Sequence, residues 1–128
     1  MTYEVSLEDQ IDLLVARDPR YKREAYFFVL LGLSRTGADV SKRKHVSGGE
    51  LLAVLRELAV EEYGLTAPLV LDHWGVKSTL DFGEIVFQMV GCGLMGKTEE
   101  DTIEDFREVF DLRQALEGSF TWGSAARG

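Results

Sequence analysis

Cysteine, histidine and proline are all scarce in this 128-residue chain, which has one, two and two of them. A single cysteine, Cys92, cannot close an internal disulfide, so a disulfide-stapled scaffold is excluded and a reducing, cytoplasmic setting is expected. With His45, His73 and Cys92 scattered along the chain, metal-ligand spacing is missing and no metal site is expected. Positive charge is short too: 14 Lys and Arg against 22 Asp and Glu leave a formal net charge of −8. Such a chain repels phosphate backbones and anionic lipid unless a basic patch is segregated, which disfavours nucleic acid and membrane as partners. Long apolar runs are also missing. The longest apolar-rich window, Ala25 to Leu33, is too short to span a bilayer and begins beside Lys22, Arg23 and Glu24. The opening MTYEVSLEDQID has no basic stretch followed by an apolar one, so no signal peptide is expected.

What is present is an ordinary globular mixture, 45% hydrophobic and 28% charged, over about one domain's length. The apolar spacing is helical. Ser6 can cap a helix in which Leu7, Ile11, Leu14 and Val15 share one face, ending near Asp18. Asp18 and Pro19 then read as N-cap and first residue of a second helix reaching Ser34, apolar nearly all round beyond Ala25. Residues 35–46 are polar and loop-like. Ser47 to Glu50 has capping-box spacing and opens a helix carrying Leu51, Leu55 and Leu58, which Gly64 stops. A short helix follows from Thr66 and Pro68 to Trp74, closed by Gly75. Ser78 or Thr79 caps another, with Phe82, Ile85, Val86, Met89 and Val90 inward. A further helix is expected between Thr98 or Thr102 and Phe110, and Asp111 caps a last turn to Leu116. The expected fold is therefore mainly α, a single domain of six or seven short helices over residues 1–118 with a flexible tail at 119–128. The alternative is α/β, with Phe27–Leu31, Leu69–Asp72 and Ile85–Val90 as strands. The two halves of the chain carry net charges of −2 and −6, so the acidic face is C-terminal.

Several motifs invite a chemistry. Gly91 to Thr98 spells G-x-x-x-x-G-K-[ST], which would make Gly91, Gly96, Lys97 and Thr98 a phosphate loop, and its first six residues also fit G-x-G-x-x-G. Such a loop needs a buried strand to deliver it and a helix N-terminus to meet the phosphates. Here Glu99, Glu100 and Asp101 follow at once, and the Walker-B-like Leu69 to Asp72 lies upstream, in the wrong order. An interhelical glycine turn is the plainer reading. Asp81-Phe82-Gly83 copies a kinase triplet in a chain too short to be a kinase, and Asp81 suits a first-turn carboxylate. Cys92 has no signature joining it to His45 or His73 as base. The one basic cluster, Lys42, Arg43 and Lys44 with His45, could meet phosphates or an acidic protein, but the short apolar segment Ala67 to Trp74 offers nothing to read base edges.

Ala25 to Val29, His45 to Leu52, Trp74 to Val76, Thr79 with Asp81 to Phe87, and Lys97 to Glu99 leading to Asp105-Phe106 resemble a small family of proteins described as restricted to Planctomycetes and Verrucomicrobia and uncharacterised in function. The resemblance covers most of residues 20–115. It implies a bacterial protein and supplies no catalytic residue, cofactor or ligand set. The function expected on these grounds is a non-catalytic protein-interaction or regulatory module without a cofactor. Its contact residues would be Trp74 and Trp122, with Lys42, Arg43 and Lys44 for an acidic partner, and a homodimer is the simplest form. The alternatives are a small-ligand or nucleotide binder using residues 91–98 and a nucleic-acid binder using residues 42–45, with an enzyme ranked last.

Overall fold

In the computed structural model, residues 6–36, 48–92, 106 and 111–118 are described. They form α1 (Leu7–Arg17), α2 (Arg23–Arg35), α3 (Gly48–Tyr63), a 3-10 turn (Gly64–Thr66), α4 (Ala67–His73), α5 (Thr79–Gly91) and α6 (Leu112–Gly118). The fold is mainly α, with no strand among the described residues. The segments that could have been strands, Phe27–Leu31, Leu69–Asp72 and Ile85–Val90, fall in α2, α4 to its capping end, and α5. The helix expected between Thr98 and Phe110 lies outside the described residues except for Phe106, and so does the tail 119–128.

Local chemistry accounts for most of the helix ends. Ser6 Oγ accepts from Asp9 N at 3.1 Å and starts α1, whose buried face is Ile11 and Leu14. Gly64, at φ 54°, and Gly75, at φ 91°, make the left-handed turns that end α3 and α4. Asp81 Oδ2 accepts from Ser78 N at 3.1 Å and fixes the start of α5. Asp111 Oδ1 accepts from Gln114 N at 2.8 Å beneath α6.

The start of α2 departs from expectation. Asp18 does not cap it but closes α1, its N–H donating to Leu14 O, Pro19 lies in the turn that follows, and α2 begins at Arg23. The Asp18 carboxylate is committed instead to Arg20, accepting from its backbone N at 3.2 Å and from its guanidinium Nε at 2.9 Å and Nη2 at 2.7 Å. Lys22 N donates to Trp74 O at 3.0 Å, which keeps residues 19–22 out of the helix. The N-terminal face of α1 is also less covered than its periodicity implies, since Leu7 is exposed.

The middle of the fold is α3, which packs against α2, α4, α5 and α6 and buries Leu51, Leu52, Leu55, Leu58 and Ala59. The close approach of α2 depends on Gly32: a Cβ there would stand 2.4 Å from Leu55 Cδ2. Phe27 of α2 is half-buried with the Arg23 guanidinium over its ring, whereas Tyr21, Tyr26, Phe28 and Phe82 are interior. Trp74 belongs with them. Only 7% of it reaches solvent, and its ring lies 5.4 Å from Phe28 and 5.6 Å from Tyr63. Its backbone carbonyl is drawn under the α1–α2 turn by Lys22 N, which leaves it no face to offer as the surface anchor that the sequence suggested. Among the described residues Thr79 is the buried polar one, and its hydroxyl donates to Phe106 O at 2.6 Å.

Candidate functional site

The densest polar constellation is built on one face of α5, where Asp81, Glu84 and Gln88 recur at helical spacing and meet the α1–α2 turn. Tyr21 Oη donates to Asp81 Oδ1 at 2.6 Å, while Asp81 Oδ2 also accepts from Lys77 N at 2.8 Å. Arg20 Nη2 lies 3.6 Å from Glu84 and its guanidinium sits 5.0 Å above the Tyr21 ring. Tyr26 Oη donates to Gln88 Oε1 at 3.0 Å, and Gln88 Nε2 donates to Asp18 Oδ2 at 3.1 Å. The guanidinium of Arg20 holds the Asp18 carboxyl below its ordinary value, against a smaller opposing effect of burial. Burial pushes the Tyr26 hydroxyl up to about 12, helped by the charge of Asp18. Tyr21 moves the same way, through burial first and its bond to Asp81 second.

These shifts all run away from neutrality. Tyr21 and Tyr26 keep their protons, Asp18 keeps its charge, and each oxygen or nitrogen named above is engaged by another part of the chain. A general acid or base needs an affinity for protons near the working pH and access to a substrate. The cluster has the opposite character, and its chemistry is to fix two turns against α5.

Beside it runs an open groove between α1 and the end of α5. One part, of about 420 Å³, is lined by Leu14, Arg17, Asp18, Gln88 and Gly91. The other, of about 360 Å³, is lined by Gln10, Leu13, Leu14, Arg17 and Cys92. Gly91 of the phosphate-loop pattern is therefore the last residue of α5, preceded by a helix where a phosphate loop would need a strand. Gly96, Lys97 and Thr98 lie outside the described residues, as do Trp122, Lys42, Arg43, Lys44 and His45. Cys92 is half-buried with its Sγ 3.5 Å from Met89 O. Among the described residues no group of three or more His, Cys, Asp and Glu could hold a metal ion, and no helix is long and apolar enough to cross a membrane.

A second region is apolar. Leu65 and Leu69 are 71% and 65% exposed, four residues apart on the helical path from the 3-10 turn into α4. Next to them, Pro68, Leu71, Asp72, Val76, Lys77, Leu112 and Leu116 enclose a hollow of about 240 Å³ between α4 and α6. Sequence reasoning passed over these leucines. The signal was present, because Ala67 and Leu71 suffice for the inward side of so short a helix, and Leu65 and Leu69 are then surplus.

Compared with known proteins, the chain matches no family model, no curated protein and no solved structure.

Proposed function

We propose that this chain is a non-catalytic protein-interaction module, acting in a reducing cytoplasm, whose contact surface is centred on α4. The observation that carries the reading is the exposure of Leu65, in the 3-10 turn, and of Leu69, four residues on in α4. Scattered exposed leucines are ordinary, whereas contiguous exposed apolar surface marks contact sites, and this pair stands at helical spacing beside a largely apolar hollow. The polar cluster on α5 supports the same reading from the other side, since its groups are spent on holding the fold.

The test is capture from the native cell on three immobilised baits: the wild-type chain, the Leu65→Glu/Leu69→Glu variant, and Leu13→Glu as a control on α1, where Leu13 is 64% exposed. A partner retained by the wild type and Leu13→Glu but lost from the double variant is expected. Equal retention by all three overturns the assignment to α4.

The groove beside Gly91 favours a second reading, a small-ligand binder, because its volume lies within the roughly 300–1,000 Å³ of such pockets. Under the interaction reading, millimolar ATP or GTP with magnesium leaves the melting temperature unchanged, since only a ligand of the native state raises it. A nucleotide-dependent rise abolished by Lys97→Ala would favour the second reading instead.

A further inference from the structure

Resting on the interaction reading just given, we propose that the occupant of the α4 surface is a second copy of this chain, placed so that Leu69 of each copy seats in the other's hollow between α4 and α6. The hollow measures about 240 Å³, smaller than the roughly 300 Å³ at which small-molecule pockets begin, so it suits one or two side chains. Its floor is Leu71, Val76, Leu112 and Leu116, which matches an aliphatic knob.

The knob and the hollow are neighbours on the same helix. At about 100° per residue, Leu69 stands roughly a quarter turn round α4 from the centre of the Pro68, Leu71 and Asp72 wall. A two-fold axis passing beside α4 therefore presents knob to hollow twice, the self-complementary arrangement that an isologous pair requires. The rim agrees with this. It carries one charge of each sign, Asp72 and Lys77, paired at 2.5 Å. Two such rims bring no net charge into the contact, whereas the rest of the chain, at net −8, repels its copy. A surface limited to α4 and α6 lies at the small end of specific interfaces, so the pair is a reversible one, with a dissociation constant on the order of 10 µM.

Sedimentation of the full chain over a concentration series, at low and high salt, tests this. A monomer–dimer equilibrium is expected that tightens or holds as salt rises, because screening relieves the net repulsion while the contact itself is apolar. Leu69→Glu is expected to weaken it roughly ten- to a hundredfold, with the helix signal intact, and Leu31→Glu, on α2 where Leu31 is 45% exposed, to leave it unchanged. A dimer indifferent to Leu69→Glu overturns the α4 surface. A wild-type monomer at several hundred micromolar overturns the second copy; if the wild-type bait still retains a Leu69-dependent foreign partner, the interaction reading survives, and if it retains none, both fall.

Discussion

Two glycines in left-handed conformations give a matched pair of perturbations that separates backbone strain from packing. Gly64 has φ 54° and open space where a Cβ would be, while Gly75 has φ 91° and would place that Cβ 2.1 Å from the backbone oxygen of Arg20. Alanine at either position incurs the left-handed penalty of about 1–2 kcal/mol, offset by about 0.4–1 kcal/mol because the unfolded chain loses freedom. Gly64→Ala should therefore cost about 1 kcal/mol. Gly75→Ala must also push the α1–α2 turn away, and with it the 3.0 Å bond from Lys22 N to Trp74 O, worth about 0.5–1.5 kcal/mol. Opening the aromatic packing around Trp74 adds to that, so the expected cost is about 3 kcal/mol or more. Urea titrations followed by circular dichroism, with a common slope for both variants, give the comparison. If Gly75→Ala proves no more costly than Gly64→Ala, the junction between the two turns does not contribute as described.

The pH dependence follows from Asp18. A carboxyl that is more acidic in the folded than in the unfolded chain contributes stability above its unfolded value and loses it as the pH falls through its folded one. The stability gap between wild type and Asp18→Asn should be widest near neutrality and close progressively below about pH 4, and a gap independent of pH would count against the Arg20 pairing as its source. At the α2–α3 contact, Leu55→Ala should cost about 2–5 kcal/mol. Gly32→Ala, whose Cβ would press on Leu55 Cδ2, should be better tolerated in the Leu55→Ala background, giving a coupling of about 0.5–3 kcal/mol in a double-mutant cycle; strict additivity would show that the two side chains do not share that space.

Rules that act over three or four residues were legible in the sequence. Ser6, Gly64, Gly75 and Asp111 act locally and each marks a helix end as read, and of Ser78 and Thr79, both open as caps of α5, it is Ser78 that serves, with Asp81 accepting from its N–H. The apolar period of α3 and α5 placed their buried faces for the same reason. What failed was decided at a distance. Asp18 is the partial exception, a good N-cap by type whose oxygens go to Arg20 only two residues on, although Gln88, 70 residues away, takes a share and Trp74 O holds Lys22 N. Trp74 looked available because too few periodic neighbours surround it in the sequence, whereas its partners Phe28 and Tyr63 come from other helices. The α4 surface was missed for the opposite reason: an apolar segment of seven residues reads as core until α3 and α6 are seen to cover only part of it. For residue 91 the letters of the phosphate-loop pattern misled less than their context informed, since the helical period running to Val90 already put a helix before Gly91, as the structure has it.

The bonds from Tyr21 to Asp81 and from Tyr26 to Gln88 close chain segments of 60 and 62 residues. Bringing such distant points together costs entropy that grows with the logarithm of the loop, and nothing repays it until α2, α3 and α5 are already assembled. Loop closure therefore predicts an order of folding in which neighbouring helices dock first and the junction of the two turns locks last. Lesions in that junction should accordingly leave the refolding rate nearly untouched and shorten the lifetime of the native state, so that the turn between α1 and α2 acts as the latch governing how long the protein stays folded.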